Sequence, residues 1–171
     1  MIPDGNPPPS PRAVTLHPLD PAVITVWRIK LGLTAAVVVA AVLGYELFHL
    51  FDEVRRFPFG LLSALVTVAG LLLTLALPRL RHRYWRYALD EEALYLERGL
   101  FNRVRTLVPL RRIQHLDVSQ DLIEREFDLA RLIVHTAGSR SSEVVLPGLR
   151  FEEAEHLREA IKRYIMEEDV V

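Results

Sequence analysis

Two acid–histidine pairs are the first candidates for chemistry. Glu46/His49 and Glu153/His156 both follow E-x-x-H spacing, and residues three apart share one helix face, as metal-ligating carboxylates and imidazoles do in di-iron bundles. A shared metal would need all four side chains to converge. One pair lies at the far end of an apolar segment and the other on a charged segment near the C-terminus, so the pairs belong to opposite ends of the molecule. They are read as ordinary boundary and surface residues, and His115 and His135, on strand-like segments, as solvated or hydrogen-bonded ones.

Other chemistry is missing by residue type. The chain has no cysteine, which excludes disulfides, thiolate metal sites and cysteine nucleophiles. Its eight scattered glycines form neither G-x-G-x-x-G nor G-x-x-x-x-G-K-[ST]. Ser139 follows Gly138 directly, so the G-x-S-x-G elbow of serine hydrolases is absent. No set of acid, base and nucleophile falls inside the apolar segments. This speaks against the competing reading, a membrane enzyme acting on a lipid or peptide through Glu46, His49 or the arginines. No catalytic residue, cofactor or metal is expected.

The apolar residues are concentrated in two blocks. Phe57 to Leu77 carries no ionisable side chain over 21 residues, and at about 1.5 Å per helical residue it spans roughly 30 Å, the thickness of one bilayer core. Leu31 to Phe51 is uncharged as far as Tyr45 and is also long enough to cross. Only Asp52 to Arg56 lies between them, too short for a domain, so the expectation is a helical hairpin over 28–78 with helices at about 29–51 and 57–77. Arg28, Lys30, Arg79, Arg81, Arg83 and Arg86 flank it outside, against Arg55 and Arg56 in the loop. By the positive-inside rule both termini of this multi-pass membrane protein are cytoplasmic. A cleaved signal peptide fits poorly, because the charged flank begins near residue 28 and a second span follows.

Residues 1–27 hold seven of the eleven prolines within the first 21 positions. They read as an extended or disordered cytosolic tail without helix or sheet ladder.

Beyond the second block stands a collar: Arg79, Arg81, Arg83 and Arg86 among Tyr84, Trp85 and Tyr87. Aromatic rings favour the headgroup layer and guanidinium groups pair with anionic phosphates. Arg79, Arg81, Arg83, Tyr84, Trp85 and Arg86 are therefore the candidate lipid-interface set, acting either as a stop-transfer anchor or as a lipid-recognition site. Residues 79–171 follow, with short alternating segments divided by turn signals. In Arg103 to Val108, Val104, Thr106 and Val108 face one way and Arg103, Arg105 and Leu107 the other. That outer set is the candidate partner surface. Thr136 to Val145 reads as a hairpin with Gly138 in its loop. Phe151, Ala154, Leu157, Ile161, Tyr164 and Ile165 then form one stripe of an amphipathic helix over 151–168. Strands closed by one helix give an α+β cytosolic domain, a curved sheet or partial barrel.

In order and spacing these segments resemble the bacterial pleckstrin-homology-like membrane-flanked domain proteins. The motifs that carry the resemblance are Arg112-Ile113-Gln114, Ser119-Gln120, Arg125 with Phe127-Asp128-Leu129-Ala130, Thr136-Ala137-Gly138 and Leu146-Pro147-Gly148-Leu149. Asp128 stands where the family pattern usually has glycine. The resemblance implies a pleckstrin-homology-like barrel capped by the C-terminal helix, no known catalytic residues, and action beside a longer relative with several such domains. Inositide-binding members of that fold place basic residues around the first hairpin, whereas this one carries Asp90, Glu91 and Glu92, which repel phosphate. A formal net charge of -1 speaks against nucleic acid. The function expected is a non-catalytic, membrane-anchored binding or assembly subunit. Its partners are the membrane and a protein, either a longer relative or a second copy.

Overall fold

The computed structural model describes residues 15–50, 58–100, 102–137 and 143–168. The first part of the proline-rich tail, the Asp52–Arg56 connection and Gly138 lie outside these residues. Two long helices lead, α1 (Ala22–Phe48) and α2 (Leu61–Arg83). A two-residue strand β1 (His17–Pro18) precedes them. After them come β2 (Arg86–Leu89), β3 (Ala93–Arg98), β4 (Val104–Pro109), β5 (Ile113–Ser119), the short helix α3 (Leu122–Glu126), β6 (Leu129–Thr136), β7 (Glu143–Arg150) and α4 (Phe151–Glu168). The strands make two antiparallel sheets, ordered β1-β2-β3-β4 and β5-β6-β7.

The two long helices pack closely because their facing positions are small. A Cβ added to Gly70 would stand 3.2 Å from that of Ala35, so the backbones approach as small-residue helix pairs do in membranes. Their remaining surfaces stay apolar and open: Leu33, Val37, Leu65, Leu71 and Leu72 are each more than half exposed. Water would make that surface costly; a bilayer suits it.

The α1 helix starts seven residues earlier than the apolar run suggests, and the difference has a physical reason. Its 27 residues extend about 40 Å, some 10 Å more than a bilayer core. The overhanging first turns join the core of the sheet domain, where Leu19, Val23 and Val26 are at most 2% exposed. The structureless tail expected over residues 1–27 is thereby corrected for 15–27. There β1 pairs His17 with Tyr87 and Pro18 with Arg86, and Asp20 Oδ1 accepts the N–H of Ala22 at 2.8 Å.

The core between sheets and α4 is aliphatic. Leu94, Leu132, Val134, Leu146, Leu149, Ala154 and Ile161 are all fully buried. The expected stripe on α4 splits: Ala154 and Ile161 face inward, while Phe151 and Tyr164 keep more than a third of their surface exposed. Tyr87 donates its hydroxyl proton to Glu153 of α4, and burial followed by that acceptor holds the phenol well above its ordinary pKa. The second acid of an E-x-x-H pair thus ties sheet to helix. Asp128 has φ +53°, the left-handed conformation that a glycine at the family position adopts freely.

Candidate functional site

The strand register gathers residues that the sequence separates. Arg86 of β2 faces Glu97 of β3, and Glu97 faces Arg105 of β4. One basic–acidic–basic row therefore crosses the end of the first sheet that adjoins α2. Arg83, the last residue of α2, and Arg103, just before β4, complete the rim of a cleft of about 450 Å³. Arg98, which the sequence does not single out, is the fifth arginine there. Its guanidinium carbon stands 5.9 Å from the Trp85 ring centroid. Arg105 reaches Glu97 at 3.3 Å and remains 77% exposed. Among the described residues Arg83, Arg86, Arg98 and Arg103 have no ion-pair partner.

The collar is thus divided by the structure. Arg83, Tyr84 and Arg86 line the cleft. Arg81 lies over the Trp27 ring at 4.4 Å, and Arg79 is exposed outside the cleft. Trp85 is the correction: at 6% exposure it belongs to the apolar core cluster instead of facing headgroups, because it lies one residue before β2, where the chain turns into the sheet. The acidic turn Asp90–Glu92 is the tip of the β2–β3 hairpin, at the opposite end from the arginines.

β4 is the outermost strand of its sheet, and Leu107, in its middle, is 53% exposed. Arg105 and Leu107 alternate outward as the pattern requires, with Val108 buried at 3%.

A second cluster fastens the domain to α1. Lys30 Nζ lies 2.5 Å from Asp121 Oδ2 and 3.0 Å from Glu124 Oε1. Arg131 of β6 donates to the same two carboxylates at 2.7 and 2.8 Å. Asp121 also caps α3 through the N–H groups of Ile123 and Glu124, and Glu124 Oε2 accepts from Asp121 N–H, a capping box. Partial burial would raise the Asp121 pKa; the Lys30 hydrogen bond, the backbone donor and the charges of Lys30 and Arg131 outweigh it and hold it below its ordinary value. The D-x-x-E spacing of Asp121 and Glu124 is the one sequence signal that could have located α3.

His156, of the second E-x-x-H pair, is exposed, whereas Asp117 and Glu46 have close neighbours. Asp117 Oδ1 lies 2.8 Å from His115 Nε2 on the same strand, and its Oδ2 lies 3.3 Å from His135 Nε2 on the neighbouring β6. Glu46 Oε1 accepts the N–H of Leu62 at 3.1 Å, so this carboxylate sits at the N-terminus of α2, where the helix dipole favours an anion.

Over residues 28–165 the chain matches the protein family described as Bacterial PH domain. It is 29% identical over 145 residues to UPF0699 transmembrane protein YdbS of Bacillus subtilis (strain 168), covering 85% of this chain and 89% of that protein. It is 31% identical over 83 residues to UPF0699 transmembrane protein YdbT of the same organism, covering 48% of this chain and 17% of that one. No solved structure matches significantly.

Proposed function

The chain belongs to the bacterial PH domain family as a membrane protein, and from that premise we propose that it is a non-catalytic, membrane-anchored assembly subunit. Its two sheets and α4 act as a pleckstrin-homology-like partial barrel held at the cytoplasmic face, and β4 is the contact surface for a protein partner. The observation that carries this reading is the position of Leu107, an exposed apolar side chain beside Arg105 on an edge strand. An edge presents unpaired backbone donors and acceptors to an incoming strand, and arginine mixed with apolar surface suits an interface. The partner is a longer relative with several such domains or a second copy of this chain. The match to YdbT covers 17% of that protein, which leaves it room for more than one such unit.

The test is to replace Arg103, Arg105 and Leu107 with glutamate in the full chain and isolate it from native membranes. Copurifying chains are lost if β4 is the contact. A protein that purifies alone before and after the change, and turns over a lipid or peptide, establishes an enzyme instead.

Topology is a separate expectation of the same proposal. Single cysteines at Ser10, Glu53 and Ser141, introduced into this cysteine-free chain, are to be exposed to an impermeant thiol reagent in intact cells. Labelling at 53 alone agrees with two cytoplasmic termini. Labelling at 10 or 141 but not at 53 reverses the orientation.

A further inference from the structure

We propose that the arginine cleft is a binding site for a phosphomonoester, presented by the headgroup of a membrane lipid. Five guanidinium groups, Arg83, Arg86, Arg98, Arg103 and Arg105, surround one carboxylate, Glu97. Among the described residues only Arg105 of the five has an ion-pair partner, so the cleft holds a surplus of positive charge that its own side chains do not neutralise. A phosphodiester offers one charge and two free oxygens. A phosphomonoester offers nearly two charges and three acceptor oxygens, which planar guanidinium forks engage bidentately. The surplus therefore selects the monoester.

Depth supplies the second argument. Arg83 follows Leu77, the end of the uncharged run, by six residues of continuous helix, about 9 Å at 1.5 Å per residue. The polar layer on each side of a bilayer core is roughly 5–8 Å thick. The mouth of the cleft thus stands at the outer edge of the headgroup layer, where the terminal phosphate of a lipid projects. Lys30, bound to Asp121 and Glu124, fastens the domain beside the span and fixes this height. The site lies at the opposite end of the β2–β3 hairpin from the acidic turn Asp90–Glu92, and because Arg103 and Arg105 also belong to the proposed contact surface, Arg86 and Arg98, which do not, carry its test.

The experiment uses the full chain in nanodiscs, with an environment-sensitive fluorophore on a single cysteine at exposed Asn102, on the turn beside the cleft. Phosphatidic acid or phosphatidylglycerol is titrated into phosphatidylcholine at matched total charge. A saturable response is expected, with a midpoint at least about tenfold lower for phosphatidic acid. Arg86→Glu with Arg98→Glu should weaken it by more than roughly tenfold, since each surface arginine adds about 1 kcal/mol. Arg163→Glu, on exposed α4 surface, should leave it unchanged. Because Arg98 adjoins Trp85, Arg86→Glu alone decides the matter if the double variant has a lower thermal midpoint. Equal curves for the two lipids, or an unchanged response in Arg86→Glu, would reduce the cleft to general surface charge and overturn the proposal. Glycerol 3-phosphate added to phosphatidylcholine nanodiscs separates the sources. An equally strong response to it assigns the site to a soluble phosphate ester and overturns the lipid assignment.

Discussion

Gly148→Ala is expected to destabilise the sheet domain by about 3 kcal/mol, combining the costs of left-handed strain and overpacking. Gly148 has φ +67°, and a Cβ there would lie 2.6 Å from Val23 Cγ2 and 2.8 Å from Val23 Cβ. Val23 is on α1 and buried at 2% exposure, so it has little room to retreat. The Gly148 carbonyl also accepts the Asp20 N–H at 3.0 Å, which holds the chain entering α1 against β7. The glycine of the Leu146-Pro147-Gly148-Leu149 motif is therefore the point where the domain backbone receives the Val23 side chain of the membrane helix with no side chain of its own in the way. Thermal unfolding followed by a domain-specific probe should fall by roughly 10 °C for a chain of this size. Gly44→Ala, with nothing within 4 Å of the added Cβ, is the control and should not fall. A Gly148→Ala midpoint equal to that of Gly44→Ala would remove the close approach from the account.

Glu124→Ala is expected to release the domain from α1. The Glu124 side chain is 8% exposed and receives Lys30 at 3.0 Å and Arg131 at 2.8 Å. Removing the buried carboxylate leaves Lys30 and Arg131 to share Asp121 alone and breaks the capping box of α3, at a cost of about 3 kcal/mol, or roughly a hundredfold in the opening equilibrium. Hydrogen exchange at α3 and at the first turns of α1 should accelerate by about that factor, with α4 less affected. Acid acts on the same lock. The folded-state pKa of Asp121 is depressed, so its contribution is fully present above the unfolded value of about 3.9 and is lost as pH falls below that through the folded one. Protection, which is exchange corrected for its intrinsic pH dependence, should therefore be unchanged between pH 7 and 5 and fall below about pH 4. A rate in Glu124→Ala equal to that of the parent would mean that the ion pairs do not hold the joint.

What the sequence makes legible is local. Uncharged runs mark the two helices, alternation marks β4, and the 3.6-residue stripe marks α4, because each pattern lies within one element. The cleft and the lock depend on distant residues: Lys30 and Asp121 are 91 positions apart, and Arg86, Glu97 and Arg105 meet only through strand register. A lysine that reads as a membrane-flanking charge therefore becomes an internal partner. Composition also misdirects. Prolines suggest an open tail through residue 27, yet Pro18 lies on a two-residue strand and Pro21 directly precedes α1, places that tolerate proline. Trp85 reads as an interfacial anchor by its neighbours, but its place one residue before β2 turns it inward.

The most direct test of an anchored assembly subunit is site-specific photocrosslinking in native membranes. A photoreactive residue at Leu107 of the full chain should give one discrete adduct with another protein chain, a longer relative or a second copy, and the same probe at Arg163 should not. If Leu107 yields only lipid adducts, or no more protein adduct than Arg163, β4 is not the contact and the assembly reading is contradicted.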